Sequence, residues 1–173
     1  MSIESTKPSY PTSEIEVRRA REEELPLLIE FARRDIGQNV ASLDVVEAVH
    51  KHNSDSFWLI VRRHPTSGRE DVLGFYSFLM LNAVGLRHFE DGTFDARNPP
   101  HEMMAPGGTR PAALYIWGVV AKGLTAIATV KVAHALGAPL YGSLPLYATA
   151  ATFGGAKRLA NYGFTAVGGN PDS

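Results

Sequence analysis

Ala112-Ala113-Leu114-Tyr115-Ile116-Trp117-Gly118-Val119-Val120-Ala121-Lys122-Gly123 is the stretch whose reading decides the fold. Residues 112–120 are apolar or small, with β-branched and aromatic types among them, and read as a strand. Ala121-Lys122-Gly123 reads as a tight turn, and residues from about 124 to 136 read as a helix. This order sets the free N–H groups of a helix start beside a strand end, an arrangement that binds phosphates. On these residues alone, a plain strand-to-helix turn is the other reading. Residues 124–130 are apolar nearly all round with few bulky groups, which predicts a helix buried closely against a sheet.

Downstream, residues 140–143 read as a further strand. A second small-residue helix follows, containing Gly154-Gly155 and ending Ala156-Lys157-Arg158-Leu159-Ala160-Asn161 before Tyr162-Gly163-Phe164. Each glycine costs a helix interior ~1 kcal/mol relative to alanine. Two together predict a kink, or a surface against which a neighbouring helix or a ligand packs closely. A last strand is expected at 165–167.

Upstream, Ile15-Glu16-Val17-Arg18 alternates apolar and polar, as a half-buried strand does. A helix is expected over 19–37, with Leu25, Leu28, Ile29, Ala32 and Ile36 on one face. Its acids Glu22, Glu23 and Glu24 precede its bases Arg33 and Arg34, as the helix dipole prefers. Ser42 caps a second helix ending near Asn53. Residues 57–63 and 72–81 read as a hairpin around a turn-rich connector. Residues 82–111 are rich in glycine and proline, with little periodicity. They read as a long functional or disordered connector. The order of elements predicts an α/β domain over 14–173, with helices covering a central, mixed, mostly antiparallel sheet.

The chain has 173 residues and a formal net charge of −1, enough for one well-buried core and no concentrated positive surface. Nucleic acid and anionic membranes are therefore not expected partners. With no cysteine, a disulfide scaffold, a thiolate metal site and a cysteine nucleophile are excluded. Residues 1–13 are polar and proline-bearing and read as a disordered leader, not a signal peptide. No run approaches the ~20 apolar residues of a membrane span. A cytoplasmic protein is expected.

Four segments, in the right order, resemble the GNAT acyltransferase superfamily. Residues 15–25 are similar to its opening strand and acidic step into the first helix. Val72-Leu73-Gly74-Phe75 resembles its third strand. Residues 119–126 occupy the place of its acyl-CoA loop, and 155–164 resemble its last helix and closing Gly-Phe. The resemblance implies acetyl-CoA or another acyl-CoA, held by backbone groups at Val119 and Val120 and at the turn Lys122, Gly123, Leu124, Thr125 and Ala126. It implies transfer to a small-molecule or protein amine acceptor. The departures are specific. Val120 stands where the family carries Arg or Gln, and Thr125 where it carries a second small residue. Leu159 stands where many members place the tyrosine that protonates the leaving thiolate. The strand 114–120 supplies no Asp, Glu or His as a base.

Tyr147, in the expected turn after strand 140–143, is the candidate proton donor in place of Leu159, ahead of Tyr162. His88, Glu90 and His101 lie in the connector and are candidate substrate contacts, because loops on a rigid scaffold carry recognition. Their spacing matches no metal-ligand pattern, so no metal is expected. His50, His52 and His134 sit near helix C-termini, where the dipole favours them. Two functions remain from this reading. One is an N-acyltransferase working by direct attack of an amine on a thioester. The other is a catalytically silent binding or assembly module of the same fold that uses 82–111 as its contact surface. A homodimer is left open.

Overall fold

The computed structural model describes residues 14–121, 123, 125–137, 139–149, 157, 159–161 and 163–165. Five strands form one sheet in chain order: β1 (Ile15–Arg19), β2 (Phe57–Arg63), β3 (Glu70–Leu81), β4 (Ala113–Val120) and β5 (Leu146–Ala148). The first four pair antiparallel, and β5 runs parallel to β4. A parallel pair needs a crossover, and α4 (Thr125–Leu136) supplies it. The result is the α/β, mixed and mostly antiparallel sheet that the order of elements predicts.

The sheet buries both faces. α1 (Leu25–Asp35) and α2 (Leu43–His52) cover one, where Phe57, Leu59, Val61, Phe75, Leu79 and Tyr115 meet Leu28, Ile29 and Val46. α4 covers the other, setting Ala128, Val132 and Leu136 against Trp58, Ile60, Tyr76 and Phe78. The alternation of β2 sends odd residues to the first face and even ones to the second, as the period of two requires. Arg18 ties three elements together at one edge. Its guanidinium donates to Glu24 at 2.7 Å and to Glu70 at 2.9 Å. The hydrogen bond from Arg18 holds the Glu24 carboxyl down to about 2, from an ordinary 4.5. A carboxylate lowered on folding contributes stability that is complete above its unfolded pKa and is lost as pH falls through its folded one. Melting temperature is therefore expected to fall between about pH 4.5 and 2, and Glu24→Gln to flatten part of that slope. An unchanged slope in the variant would assign the acid sensitivity elsewhere.

Three sequence expectations need correction. The segment 82–111 is not a structureless connector. It opens with α3 (Ala83–Glu90), capped by Asn82, whose side-chain oxygen accepts from the N–H groups of Val84 and Gly85. Leu86, Phe89, Phe94 and Ala96 pack on the first core, and Met104 and Ala105 are buried. Removing this segment would therefore open the core, contrary to the expectation of a functional or disordered connector. Second, residues 140–143 form a turn and the strand comes three residues after it, at β5. Arg110 donates to the carbonyls of Pro139 at 2.7 Å and Gly142 at 2.8 Å, so these acceptors are taken by a side chain. Ser143 is left-handed at φ 63°, which ends any extended run. Third, α4 is buried along one stripe only, with Val130 69% exposed.

The leader 1–13, Gly154-Gly155, Tyr162 and most of the expected last strand lie outside the described residues. The close of the last helix is described. The Phe164 N–H donates to the Leu159 carbonyl and the Gly163 N–H to that of Ala160, with Gly163 at φ 84°. This paired closure needs a left-handed residue at its turn, which explains the glycine of Gly163-Phe164. Among the described residues, no helix is long and apolar enough to cross a membrane.

Candidate functional site

β4 has two irregularities that coincide. Its pairing with β5 covers only Leu114, Ile116 and the residue between them, opposite Leu146–Ala148. From Trp117 to Val120 the β5-side edge has no strand partner among the described residues. On its other side, Phe78 pairs with Ile116 but Ser77 pairs with Gly118, so Trp117 is an extra residue, a β-bulge. A bulge kinks its strand and increases the local twist, and this one lies where β4 and β5 part. Val119 and Val120 then pair with Tyr76 and Phe75 on β3. Gly74 lets the backbones close up here, since a Cβ on it would fall 2.0 Å from the Val120 carbonyl oxygen.

The turn into α4 follows at once. Gly123 is exposed, at φ 68°, and among the described residues nothing lies within 4 Å of where a Cβ would stand. Thr125 and Ala126 open α4. The free N–H groups of that first turn therefore start beside the unpartnered edge of β4. Lys122 and Leu124 lie outside the described residues.

On the α1 side of the bulge is a cavity of about 210 Å³. Ile29, Ala32 and Ile36 form one wall, and Phe75, Trp117 and Gly118 the other. The Trp117 indole N–H donates to the Ala96 carbonyl at 2.7 Å, which fixes the ring at the cavity's end. Ser77 lies in the floor, 4% exposed, its hydroxyl donating to the Gly118 carbonyl at 3.2 Å. The cavity and the open strand edge meet at Trp117 and Gly118. Neither the cavity nor Ser77 entered the sequence reading. The signal available was Ser77 itself, the one aliphatic hydroxyl in the run Gly74-Phe75-Tyr76-Ser77-Phe78-Leu79-Met80-Leu81.

Comparison with protein-family models gives no match, and comparison with curated proteins gives none.

The sequence candidates separate by position. Tyr147 lies within β5, opposite Tyr115, rather than in a turn beyond a strand. Its ring stands 5.1 Å from that of Phe89, and its hydroxyl donates to Glu90 Oε1 at 3.3 Å. Burial first, and then the Glu90 carboxylate, raise the phenol above the ordinary tyrosine value. Two of the candidates are thus brought together. His88 instead turns to its own segment, with Nδ1 2.8 Å from the Thr93 hydroxyl. His101 sets its ring 5.0 Å from that of His52, tilted by 44°, and faces α2. Among the described residues, no three acidic or histidine side chains are grouped as metal ligands.

A separate polar knot holds the turn that leads into β5. Asp55, 7% exposed, accepts from the Tyr141 hydroxyl and pairs with Arg19. Burial and the Asp55 carboxylate push the Tyr141 phenol well up, so it stays a donor. Together with Arg110, this knot fixes the approach to β5 from outside the strand ladder.

Proposed function

We propose that this chain is an acyl-CoA-dependent N-acyltransferase of the GNAT type, transferring an acetyl or related acyl group to an amine. The observation that carries the reading is the coincidence at Trp117. The strand bulges and loses its parallel neighbour at the same residue, directly before a turn into a helix start. An extended pantetheine arm takes main-chain hydrogen bonds as an added strand does, and the open edge at Trp117–Val120 offers them. A diphosphate suits the N–H groups at the start of α4, and the exposed, left-handed Gly123 precedes them. The donor, when bound, supplies a thioester-activated acyl group. The chain's part is to align that group with the amine and to hold a proton for the departing sulfur. Alignment alone contributes a large share of such catalysis. Tyr147 is the group we assign to the proton, with Glu90 orienting its hydroxyl.

The direct test is a thermal melt with CoA. A ligand at one hundred times its dissociation constant adds ~2.7 kcal/mol, or roughly 5–10 °C in a domain of this size. Lys122→Glu, which sets a negative charge beside the diphosphate, is expected to remove most of that shift. No shift at millimolar CoA would overturn the proposal and leave the assembly module, with 82–111 as its contact surface, as the better reading.

A further inference from the structure

We propose that the cavity beneath α1 is a binding site for a small monocarboxylate with an apolar, ring-sized body, of the arylalkanoate class. This goes beyond the transfer reaction and does not depend on it. The ligand carries no amine and is not the acceptor.

Exposure divides the lining into an interior and a mouth. Leu28, Ile29, Ala32, Phe57 and Phe75 are buried, whereas Ile36, Asn39 and Arg97 are exposed. Ser77, also buried, already gives its proton to the Gly118 carbonyl. Protein interiors are normally close-packed, and β4 is what leaves this one open. The bulge sets Trp117 and Gly118 in succession on the cavity, and the second has no side chain to fill it. A Cβ on Gly118 would stand 3.2 Å from Ser77 Oγ, 3.4 Å from the Phe75 ring and 3.5 Å from Ile36 Cδ1, all of them lining residues. The space is about 210 Å³. An apolar cavity of roughly 150 Å³ takes a benzene ring. This one therefore admits a ring with a short chain, and no folded surface.

The mouth selects the charge. Among the described lining residues there is no Asp or Glu, and Arg97 carries the one charge. Its guanidinium makes no hydrogen bond or ion pair among the described residues. Only its backbone N–H is engaged, donating to the Asp95 carboxylate at 2.9 Å. The Asn39 side chain also has no partner among the described residues. Guanidinium and carboxamide both offer N–H donors. A ligand carboxylate accepts charge-assisted hydrogen bonds from the first, while an ammonium would meet a like charge. An apolar body in the interior and an anionic end at the exposed mouth satisfy both parts of the lining at once.

Calorimetry on the full chain without CoA tests this with phenylpropanoate, phenylpropanol and phenylpropylamine, one body with an anionic, a neutral and a cationic end. Phenylpropanoate is expected to bind at least ~10-fold more tightly than the alcohol, and the amine more weakly than either. Arg97→Gln, a change at an exposed position, is expected to bring the acid to the level of the alcohol and leave the alcohol unchanged. Ala32→Phe, whose ring fills the interior, is expected to abolish binding of all three. Should that variant not fold, Trp58→Phe leaves Trp117 as the one tryptophan, and saturation with phenylpropanoate is expected to shift its emission. The proposal is overturned if the alcohol or the amine binds as tightly as the acid, or if none binds at millimolar concentration. It is equally overturned if Arg97→Gln keeps the acid's advantage, if binding persists in a folded Ala32→Phe protein, or if Trp117 emission does not respond. The melt with CoA stands apart. A CoA shift without acid binding keeps the transferase and removes this site, and acid binding without a CoA shift does the reverse.

Discussion

Gly74→Val is expected to lower stability by about 3 kcal/mol, the upper part of the range for overpacking a close contact. Even an alanine Cβ there would stand 2.0 Å from the Val120 carbonyl oxygen and 2.9 Å from its carbon. Both atoms are backbone, so no side chain can swing aside to relieve the contact. Either β3 and β4 separate at this close approach, or the nearby bulge at Trp117 rearranges. A shift in melting temperature of roughly 6–12 °C should result, and Gly74→Ala should lose somewhat less. If CoA binds along the edge of β4, its affinity should fall with the distortion. A valine variant that melts with the parent would show that the strands do not approach this closely.

The second large effect is on chemistry. Tyr147→Phe keeps the ring that packs 5.1 Å from Phe89 and removes only the hydroxyl that Glu90 holds. General acid catalysis typically contributes 10²–10⁴-fold, so on the proposed acyltransferase reading kcat is expected to fall by about that factor with KM little changed. The phenol is raised above its ordinary value by burial and by Glu90. The donor form therefore persists through neutral pH, and loss of activity on the alkaline side should begin only above roughly pH 10. Glu90→Gln removes a carboxylate that holds the phenol protonated and should move that alkaline limb to lower pH. A Phe variant with full kcat would exclude Tyr147 from proton transfer. The same variant would also show whether departure of the sulfur needs assistance at all.

The strands of this protein were legible by two different signals. Ile15 and Val17 alternate with polar residues, whereas Phe57 to Val61 form a continuous aromatic and aliphatic run, as a strand buried on both faces does. The body of the first helix was equally plain, but its start was not: Arg19, where it was expected to begin, ends β1, and Glu22–Glu24 form a separate 3₁₀ turn before Leu25, the residue preceding Pro26. Nor was α3 plain, since only Leu86 and Phe89 mark its buried side, amid glycines and charges. Asn82 was the available sign, a cap residue directly before the first helical position. The strand expected at 140–143 failed for a different reason. Leu140 and Tyr141 have the right character locally, but Arg110 and Asp55, distant in sequence, decide where their backbone and hydroxyl go. The pairing of Tyr147 with Glu90 rests on the same kind of long-range placement. So does the cavity, since its walls come from five separate elements and no single stretch announces it.

The extra residue at Trp117 also changes how β4 can be altered. Before it, odd-numbered side chains such as Tyr115 serve the layer of α1 and α2, and even-numbered ones such as Leu114 serve that of α4. After it the parity is exchanged, with Val119 on the α4 side and Val120 on the other. Trp117 and Gly118 consequently address the same side in succession, which an unbroken strand forbids. A one-residue deletion at this point would restore the simple rhythm and leave Val119 and Val120 on the sides they already face. Loss of a residue anywhere else in β4 would instead turn every later side chain of the strand over. The bulge is therefore the one place where the strand can shorten without exchanging its faces, and what such a loss would remove is the kink where β4 and β5 part.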